Sequence, residues 1–246
     1  MSGVPALSGP PRRVGHKGAD RIAPGNTPAS FDAALAAGVD MIEFDVLSER
    51  ADGSGSLWLA HDHGDLHARV LSLSEGLDHL AGEAFSGIDL DVDLKLRGYE
   101  LRVLDALREH DLVGRALVSS MFPTSLDLLR AAEPALRVGW SVPRVRRDFT
   151  AHPMSKLPAL AALEGYRRWL PGRARREVAR GRFHAIMAHW RLASAELVRA
   201  VSEAGGEVYA WTVDDPRRIG ALTRLGVHGI ITNDPRLFSS GSIATE

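Results

Sequence analysis

Charged side chains recur at every second position of two short apolar segments, residues 41–46 and 88–95. Because side chains alternate between faces along a β-strand, the charged residues of each segment share one face. A strand buried on both sides is normally a near-continuous apolar run, so carboxylates on such a strand need a compensating partner. A divalent cation is a suitable partner, and the pattern indicates a metal centre with oxygen ligands. The charged residues are Glu43 and Asp45 in the first segment and Asp89, Asp91, Asp93 and Lys95 in the second.

Two histidines end strand-like segments elsewhere in the chain. His16 closes the first such segment, and His61 closes a short one that follows residues 41–48. A lone histidine is more often a core or surface residue than a catalyst, so neither is persuasive separately. Because an unperturbed imidazole has a pKa of about 6.5, a pair of them can accept and donate protons at neutral pH. Together with the acids, the two histidines favour acid/base chemistry at a metal centre.

Composition narrows the class of protein. The chain has 246 residues, of which 45% are hydrophobic and 25% charged, as in a soluble globular protein. Its 30 basic and 31 acidic side chains give no overall attraction to nucleic acid, and no nucleic-acid partner is expected. The absence of cysteine excludes disulfides and thiolate ligands. The first residues lack the apolar core of a signal peptide and no stretch is long enough to span a membrane, so a cytoplasmic location is expected.

Periodicity predicts strands alternating with helices. Residues 57–61 follow residues 41–48 closely, with Asp52-Gly53-Ser54-Gly55 between, which indicates a hairpin arm. Without that arm, eight strands alternate with helices, the pattern of a parallel TIM-type (β/α)8 barrel whose site lies at the carboxyl ends of the strands. An antiparallel sheet with one solvated face is the alternative. Strands are predicted at 13–16, 41–48, 57–61, 87–95, 116–121, 137–142, 185–190, 207–213 and 229–232, and helices at 27–37, 99–110, 125–132, 194–204 and 216–225.

Several motifs occur in a defined order along the chain. They are His16, residues 24–27 (Pro-Gly-Asn-Thr), 43–45 (Glu-Phe-Asp), 61–62 (His-Asp), 93–95 (Asp-Leu-Lys), 211–213 (Trp-Thr-Val) and 226–232 (Gly-Val-His-Gly-Ile-Ile-Thr). In order and spacing these motifs resemble those of the glycerophosphodiester phosphodiesterase family. The resemblance covers residues 14 to 238. A single domain over residues 12–238 is expected, with flexible tails at 1–11 and 239–246.

The resemblance implies a metal-dependent hydrolase that splits glycerophosphodiesters into glycerol 3-phosphate and an alcohol. Three carboxylates around one ion make a site that suits either Mg²⁺ or Ca²⁺. The hypothesis is that His16 is the base and His61 the acid; the reverse assignment stays open at this point, as does the oligomeric state. Carried over by position, the implied metal ligands are Glu43, Asp45 and Asp93, the acid/base pair is His16 and His61, the phosphate contacts are Lys17 and Lys95, and the wall against which glycerol packs is Trp211.

The chain also departs from the family pattern. The family usually has Arg at the position of Lys17, Glu at the positions of Gly25 and Asp93, and Asn at the position of Asp214. An ammonium is a point charge where a guanidinium grips phosphate with two bonds, so phosphate binding is expected to be weaker or differently oriented. The shorter Asp93 would draw an ion toward its own strand and could change the preferred metal.

Other residues near the motifs have competing interpretations. His63, Asp62 and His67 are expected at the rim of the site, and a second metal bound by His61 and His63 is the opposing idea. Trp211 could be a packed barrel residue rather than a ligand wall. Asp89 and Asp91 are expected to pair with basic or hydroxyl groups inside the barrel.

Residues 143–182 form the one strongly basic region and follow the fifth barrel strand. Leu160, Leu163, Tyr166 and Leu170 recur at helical spacing beside several arginines, so a basic helical insertion is predicted. It could make a weak contact with anionic membranes or could be a solvated helical face. Two other functions stay open: a phospholipase-type phosphodiesterase acting on lipid headgroups, and a catalytically silent barrel that binds phosphodiesters.

Overall fold

The computed structural model describes residues 9–67, 70–143 and 153–240, and the side chains of 9–66, 70–143 and 162–239. Eight parallel strands close into a barrel because the first pairs with both the second and the last. The predicted TIM-type barrel is therefore confirmed. The barrel strands are β1 (Arg12–Gly15), β2 (Met41–Ser48), β4 (Asp89–Leu94), β5 (Ala116–Ser120), β6 (Arg137–Val142), β7 (Ala185–His189), β8 (Glu207–Trp211) and β9 (Gly229–Thr232).

Helices cover the outside of this barrel. Helix α1 begins with a capping box in which Thr27 and Ser30 bond each other's backbone, and Pro28 occupies its first turn. Helix α7 ends at Gly226, whose φ of 85° is the left-handed conformation that glycine adopts without strain. The helices are α1 (Pro28–Ala36), α2 (Leu73–Leu80), α3 (Glu100–Glu109), α4 (Pro123–Ala132), α5 (Pro153–Ala179), α6 (Ala195–Ser202), α7 (Pro216–Leu225) and α8 (Leu237–Ser240).

A hairpin arm leaves the barrel after β2. Strand β3 (Leu57–Trp58) pairs with the end of β2 in antiparallel fashion, as the sequence predicts. The strand is shorter than the expected 57–61, because Leu59 donates its amide to Leu71 and the chain then turns. Arg102 on α3 donates to the carbonyls of Gly53 and Gly55 and ties the arm to the barrel. We refer to residues 49–72 as the arm.

The barrel interior is filled in layers. At the amino-terminal end, ion pairs join Arg12 to Asp89 and Arg137 to Glu207, so Asp89 has the structural partner that its position predicts. An apolar layer above them includes Tyr209, whose ring lies only 2.2 Å from where a Cβ on Gly229 would be, so this close approach requires glycine. The amino-terminal part of the barrel interior is thus occupied by ion pairs and apolar side chains.

Register brings the acids of β2 and β4 side by side. Glu43 lies opposite Asp91, and Asp45 lies opposite Asp93. The intervening apolar residues Phe44 and Val92 are fully buried against the helices. The alternation seen in the sequence therefore corresponds to an outer core beneath the helices and an inner acidic face.

Helix α5 is the basic insertion, and it is also the helix that covers the fifth barrel strand. Its carboxyl-terminal half packs through Leu170, Ala174 and Val178. Arg182 anchors the end of this segment to Asp127 on α4. Arg144, Arg146, Arg147 and the side chain of Lys156 lie outside the described residues. Within the described ranges, no helix has the length and apolar character needed to cross a membrane.

Candidate active site and metal centre

Three carboxylates converge at the carboxyl ends of β2 and β4. Glu43, Asp45 and Asp93 each offer an oxygen, and these oxygens all lie within 4.8 Å of one another. Glu43 is 4% exposed and Asp45 is fully buried. A donor set made only of oxygens fits a hard divalent cation and does not suit zinc, which favours nitrogen and sulfur ligands. The three side chains fit the metal site that the sequence predicts.

The ammonium of Lys95 lies against the same acids. Its Nζ is 2.5 Å from Oδ1 of Asp45 and also contacts Asp93, and the side chain is only 11% exposed. Burial disfavours the charge, but Asp45 and Asp93 outweigh that effect and raise the pKa of Lys95. Lys95 thus neutralises the acids here, whereas the family resemblance implies a phosphate contact.

The pKa values of Glu43 and Asp45 are shifted in opposite directions. Burial raises the pKa of Glu43 well above its usual value, and the neighbouring Asp45 charge adds to the effect. Burial also acts against ionisation of Asp45, but Lys95 and His61 prevail and lower its pKa. Asp45 is therefore more readily ionised than Glu43, and a cation bound there would favour ionisation of Glu43.

Asn26 and Lys17 come from the loop after β1. Asn26 Nδ2 donates to Asp45 Oδ2, and the Asp45 amide donates to Asn26 Oδ1, both at 3.1 Å. The Lys17 amide donates to Glu43 Oε2 at 2.8 Å, while its Nζ is 3.8 Å from Asp45 Oδ2. Lys17 and Asn26 both have positive φ, which shows how tightly this loop wraps around the acids. The sequence marked Asn26 only as part of a motif.

His16 is oriented by a chain of hydrogen bonds. Asn233 Nδ2 donates to Asp214 Oδ2 at 2.7 Å, which turns the amide oxygen of Asn233 toward His16. That oxygen lies 2.5 Å from His16 Nδ1, so Nδ1 must carry the proton. His16 Nε2 is then a free proton acceptor, 3.8 Å from Glu43 Oε2. Burial lowers the pKa of His16, which keeps the ring neutral.

His61 lies on the other side of the acids, in the turn after β3. Its Nδ1 is 3.4 Å from Asp45 Oδ2, and its side chain is 49% exposed. The amide of His61 donates to Asp65, which fixes the turn. The two histidines thus approach the acidic centre from different supports: His16 follows a barrel strand, whereas His61 belongs to the arm.

A pocket of about 150 Å³ opens beside the acids. Trp211 lies on its wall, half-buried, with its indole nitrogen donating to the Met187 carbonyl at 2.8 Å. The ring of Trp211 packs against the barrel core and also lines the pocket. Its environment therefore has features of both a packed barrel residue and a ligand wall. The other lining residues include His16, Glu43, His61, Asp91, Asp93, Lys95, Ser119, Met121, Ser141, Met187, Thr212 and Ile231.

The pairing expected for Asp91 is met only in part, by a hydrogen bond with the Ser119 hydroxyl. Burial, with the nearby charge of Asp93, raises its pKa to about 8. Its Oδ1 is buried and has no hydrogen-bond partner within the described part of the chain. The expected pairing with a basic or hydroxyl group inside the barrel is therefore incomplete.

His63 does not extend the metal centre. His63 Nε2 lies 3.2 Å from the Ser48 carbonyl oxygen, and the side chain of His67 lies outside the described residues. Among the described side chains, the one cluster of acids and histidines able to hold an ion is that of Glu43, Asp45 and Asp93. A second metal at His61 and His63 has no support from this geometry.

Comparison with known proteins agrees with the site. The model of the Glycerophosphoryl diester phosphodiesterase family matches residues 16–64 and 89–237, which include all three acids and both histidines. A glycerophosphodiester phosphodiesterase of Caldanaerobacter subterraneus subsp. tengcongensis is 23% identical over 90% of this chain and 93% of its own.

Solved structures share the fold. A Silicibacter pomeroyi protein superposes with a TM-score of 0.68 and 21% identity, covering 97% of both chains. An Oleispira antarctica phosphodiesterase, solved in complex with the product sn-glycerol-3-phosphate, has a TM-score of 0.66 and 21% identity, covering 94% of this chain and 96% of its own. These likenesses show a common barrel, and the family model spans well over half of the chain. The chain thus belongs to the glycerophosphoryl diester phosphodiesterase family.

Proposed function

We propose that this protein hydrolyses glycerophosphodiesters, such as glycerophosphocholine or glycerophosphoethanolamine, to glycerol 3-phosphate and an alcohol. The observation that carries the proposal is the cluster of three carboxylates, two of which line one pocket together with His16 and His61, in a chain of this family. The glycerol 3-phosphate bound to the Oleispira antarctica relative supports a substrate of this class. We further propose that residues 12–238 act as one catalytic unit.

Glu43, Asp45 and Asp93 would hold one divalent cation, Mg²⁺ or Ca²⁺. When bound, such an ion polarises a phosphoryl oxygen and offsets the charge that develops during displacement. Lys17 and Lys95 would add positive charge for the non-bridging phosphate oxygens, and Trp211 would pack against the glycerol. For this role, the Lys95 ammonium would have to exchange one of its contacts with Asp45 and Asp93 for a contact with the phosphate.

His16 is proposed as the general base and His61 as the general acid. His16 Nε2 accepts the proton of the attacking water as its oxygen bonds to phosphorus, which gives glycerol 3-phosphate directly. Where the neighbouring glycerol hydroxyl attacks instead, a cyclic phosphate forms first and a water must then open it to give glycerol 3-phosphate. His61 gives a proton to the alkoxide as the bond from phosphorus to the leaving oxygen breaks. The neutral His16 ring, with its proton held on Nδ1, supports the first role. The exposure of His61 beside solvent, where an alcohol can depart, supports the second.

The direct test is a screen of soluble glycerophosphodiesters with Mg²⁺, Ca²⁺ and Mn²⁺. Enzymatic detection of released glycerol 3-phosphate is expected with at least one cation, and Glu43→Ala is expected to abolish the release. Lipid dispersions belong in the same screen. Turnover of lipids alone would favour the phospholipase-type function, and no turnover of either kind would favour a silent binding barrel.

The exposed face of α5 supports a further contact with anionic membranes. Trp169 is 48% exposed and its ring lies tilted against that of Tyr166, with ring centroids 5.3 Å apart. Arg168, Arg175 and Arg176 are exposed on the same helix. An amphipathic aromatic residue among cations is typical of surfaces that bind the headgroup region of a bilayer. This contact would bring the enzyme to membranes without being required for hydrolysis of soluble substrates.

A further inference from the structure

The floor of the pocket contains a polar group that the proposed chemistry does not use. Asp91 lies two residues before Asp93 on β4, so its side chain is on the same inward face but one step deeper in the barrel. It lines the pocket, as do Ser119 and Ser141 on the neighbouring strands β5 and β6. Asp91, Ser119 and Ser141 are thus polar side chains of the pocket lining, and we call this part of the lining the floor.

Among the described residues, Asp91 has no ion pair, unlike the other acids of its strand, although the Ser119 hydroxyl forms a hydrogen bond with its carboxyl group. Asp89 pairs with Arg12, and Asp93 contacts Lys95. Asp91 is 1% exposed, and its Oδ1 has no hydrogen-bond partner among the described residues. A buried polar atom without a partner is costly and calls for an explanation. It is also not one of the three acids whose oxygens gather within 4.8 Å, so a shared metal does not explain it.

The surroundings of Asp91 match a small hydroxylated group. Met187, Ile231 and Trp211 provide apolar wall for carbon atoms, while Asp91 provides a hydrogen-bonding end. A phosphate held near Asp93 and Lys95 would direct the ester group attached to it along this wall toward the floor. Glycerol is such a group, because it carries two hydroxyls on a short carbon chain.

We propose that Asp91 is a specificity-determining residue, whose Oδ1 forms a hydrogen bond with a hydroxyl of the glycerol moiety. This inference rests on the proposed function, since it assigns the glycerol end of that substrate to the pocket floor. A site built to bond a hydroxyl discriminates strongly against the analogue that lacks it, because its own polar group is then left without a partner. Alkyl phosphodiesters of the same length should therefore be poor substrates.

The test compares glycerophosphocholine with propylphosphocholine, which lacks both hydroxyls. Asp91→Val should reduce kcat/KM for glycerophosphocholine by about 100-fold and change that for propylphosphocholine by less than about threefold. Asp91→Asn, which keeps hydrogen-bonding atoms, should retain most of the preference. Asp89→Asn serves as the matched control because Asp89 is on the same strand face but away from the pocket. Thermal melting verifies folding, and Asp91→Ala replaces the Val variant if that one unfolds.

Calorimetry that measures the binding of glycerol 3-phosphate and of propyl phosphate distinguishes a failure of the proposed function from a failure of the proposed role of Asp91. If the wild type cleaves neither diester but prefers glycerol 3-phosphate, and Asp91→Val removes that preference, the proposed function fails and the role of Asp91 stands. If the enzyme cleaves glycerophosphocholine and Asp91→Val lowers kcat/KM equally for both substrates, or for neither, the proposed function stands and the role of Asp91 is overturned. Equal affinity of the wild type for the two phosphates also overturns it.

Discussion

Asn26 and Asp45 hold each other through two hydrogen bonds, one from the amide side chain of Asn26 and one from the backbone of Asp45. The pair joins the loop after β1 to the second barrel strand. Because Asp45 is fully buried and also contacts Lys95, its carboxylate has little freedom to choose another orientation. Partners that orient a metal ligand in this way contribute substantially to metal affinity.

Removal of the Asn26 side chain should therefore weaken metal binding. Asn26→Gly is the suitable change, because Asn26 has a φ of 58° that glycine adopts without strain. We expect the cation concentration for half-maximal activity to rise about 10- to 100-fold, with recovery of turnover at saturating cation. Activity measured against a cation titration tests this. A loss of turnover that no cation concentration restores would contradict it.

Lys95 should stabilise the protein most when no divalent cation is present. In Lys95→Met, Asp45 and Asp93 lose a buried counter-charge, and breaking such a pair costs about 3 to 5 kcal/mol. We expect a clearly lower melting temperature in EDTA and partial recovery with Mg²⁺ or Ca²⁺. Lys17→Met is the matched control, since its ammonium is 3.8 Å from Asp45 and a smaller loss is expected. Equal destabilisation with and without cation would count against a shared site.

The acid side of the pH profile should reflect His16. A general base must be neutral, and burial lowers the pKa of His16 below its ordinary value of 6.5. Activity should therefore be retained as the pH falls to 6.5 and be lost only at lower pH, where the ring gains a proton. The profile of kcat/KM for the wild type and for His16→Gln measures this. A decline that begins well above pH 6.5, or an identical limb in the variant, would exclude His16 as the base.

The leaving group distinguishes the two histidines. His61→Ala should reduce turnover of glycerophosphocholine by about 10²-fold or more, because a choline alkoxide needs a proton to depart. When the substrate is a nitrophenyl ester of glycerol phosphate, the nitrophenolate departs without that proton. The loss of turnover in His61→Ala should then become much smaller. His16→Ala should lower both rates to a similar extent. The opposite pattern would exchange the two roles.

The exposed face of α5 can be tested apart from catalysis. Reversal of charge at Arg167, Arg168, Arg175 and Arg176 should abolish cosedimentation with anionic liposomes and leave hydrolysis of soluble glycerophosphocholine unchanged. Trp169→Ala should reduce the binding without a change of charge. A protein that sediments equally well after the charge reversal does not bind lipid through this face.

The strand positions and the acidic face were predictable because both follow from local alternation. Every barrel strand lies within a few residues of its predicted position, and the register places Asp45 beside Asp93 as a shared site requires. Helix α2 was not predicted, although Ser72 and Glu75 form a capping box that its sequence contains. A segment of eight residues is short enough to be read as a loop. Burial of Leu77 and Leu80 stabilises it as a helix.

The side-chain contacts of the site could not be predicted from spacing alone. Asn233 and Asp214 orient His16 from the far end of the chain, and no pattern in the sequence connects these positions. Similarly, Lys95 could equally have faced a phosphate or the acids. Its position against Asp45 depends on which neighbouring charges are buried, which is a property of the assembled barrel rather than of one strand.

The two histidines that we propose as acid and base belong to different parts of the structure. His16 is fixed by the wall of the barrel, whereas His61 depends on a surface excursion held by Arg102 and Asp65. Surface connections accept insertions and substitutions that a closed barrel does not. An exchange of residues 49–72 between relatives could therefore alter which alcohols are released while the cation-binding residues remain intact. This segment is the natural starting point for redesigning the enzyme.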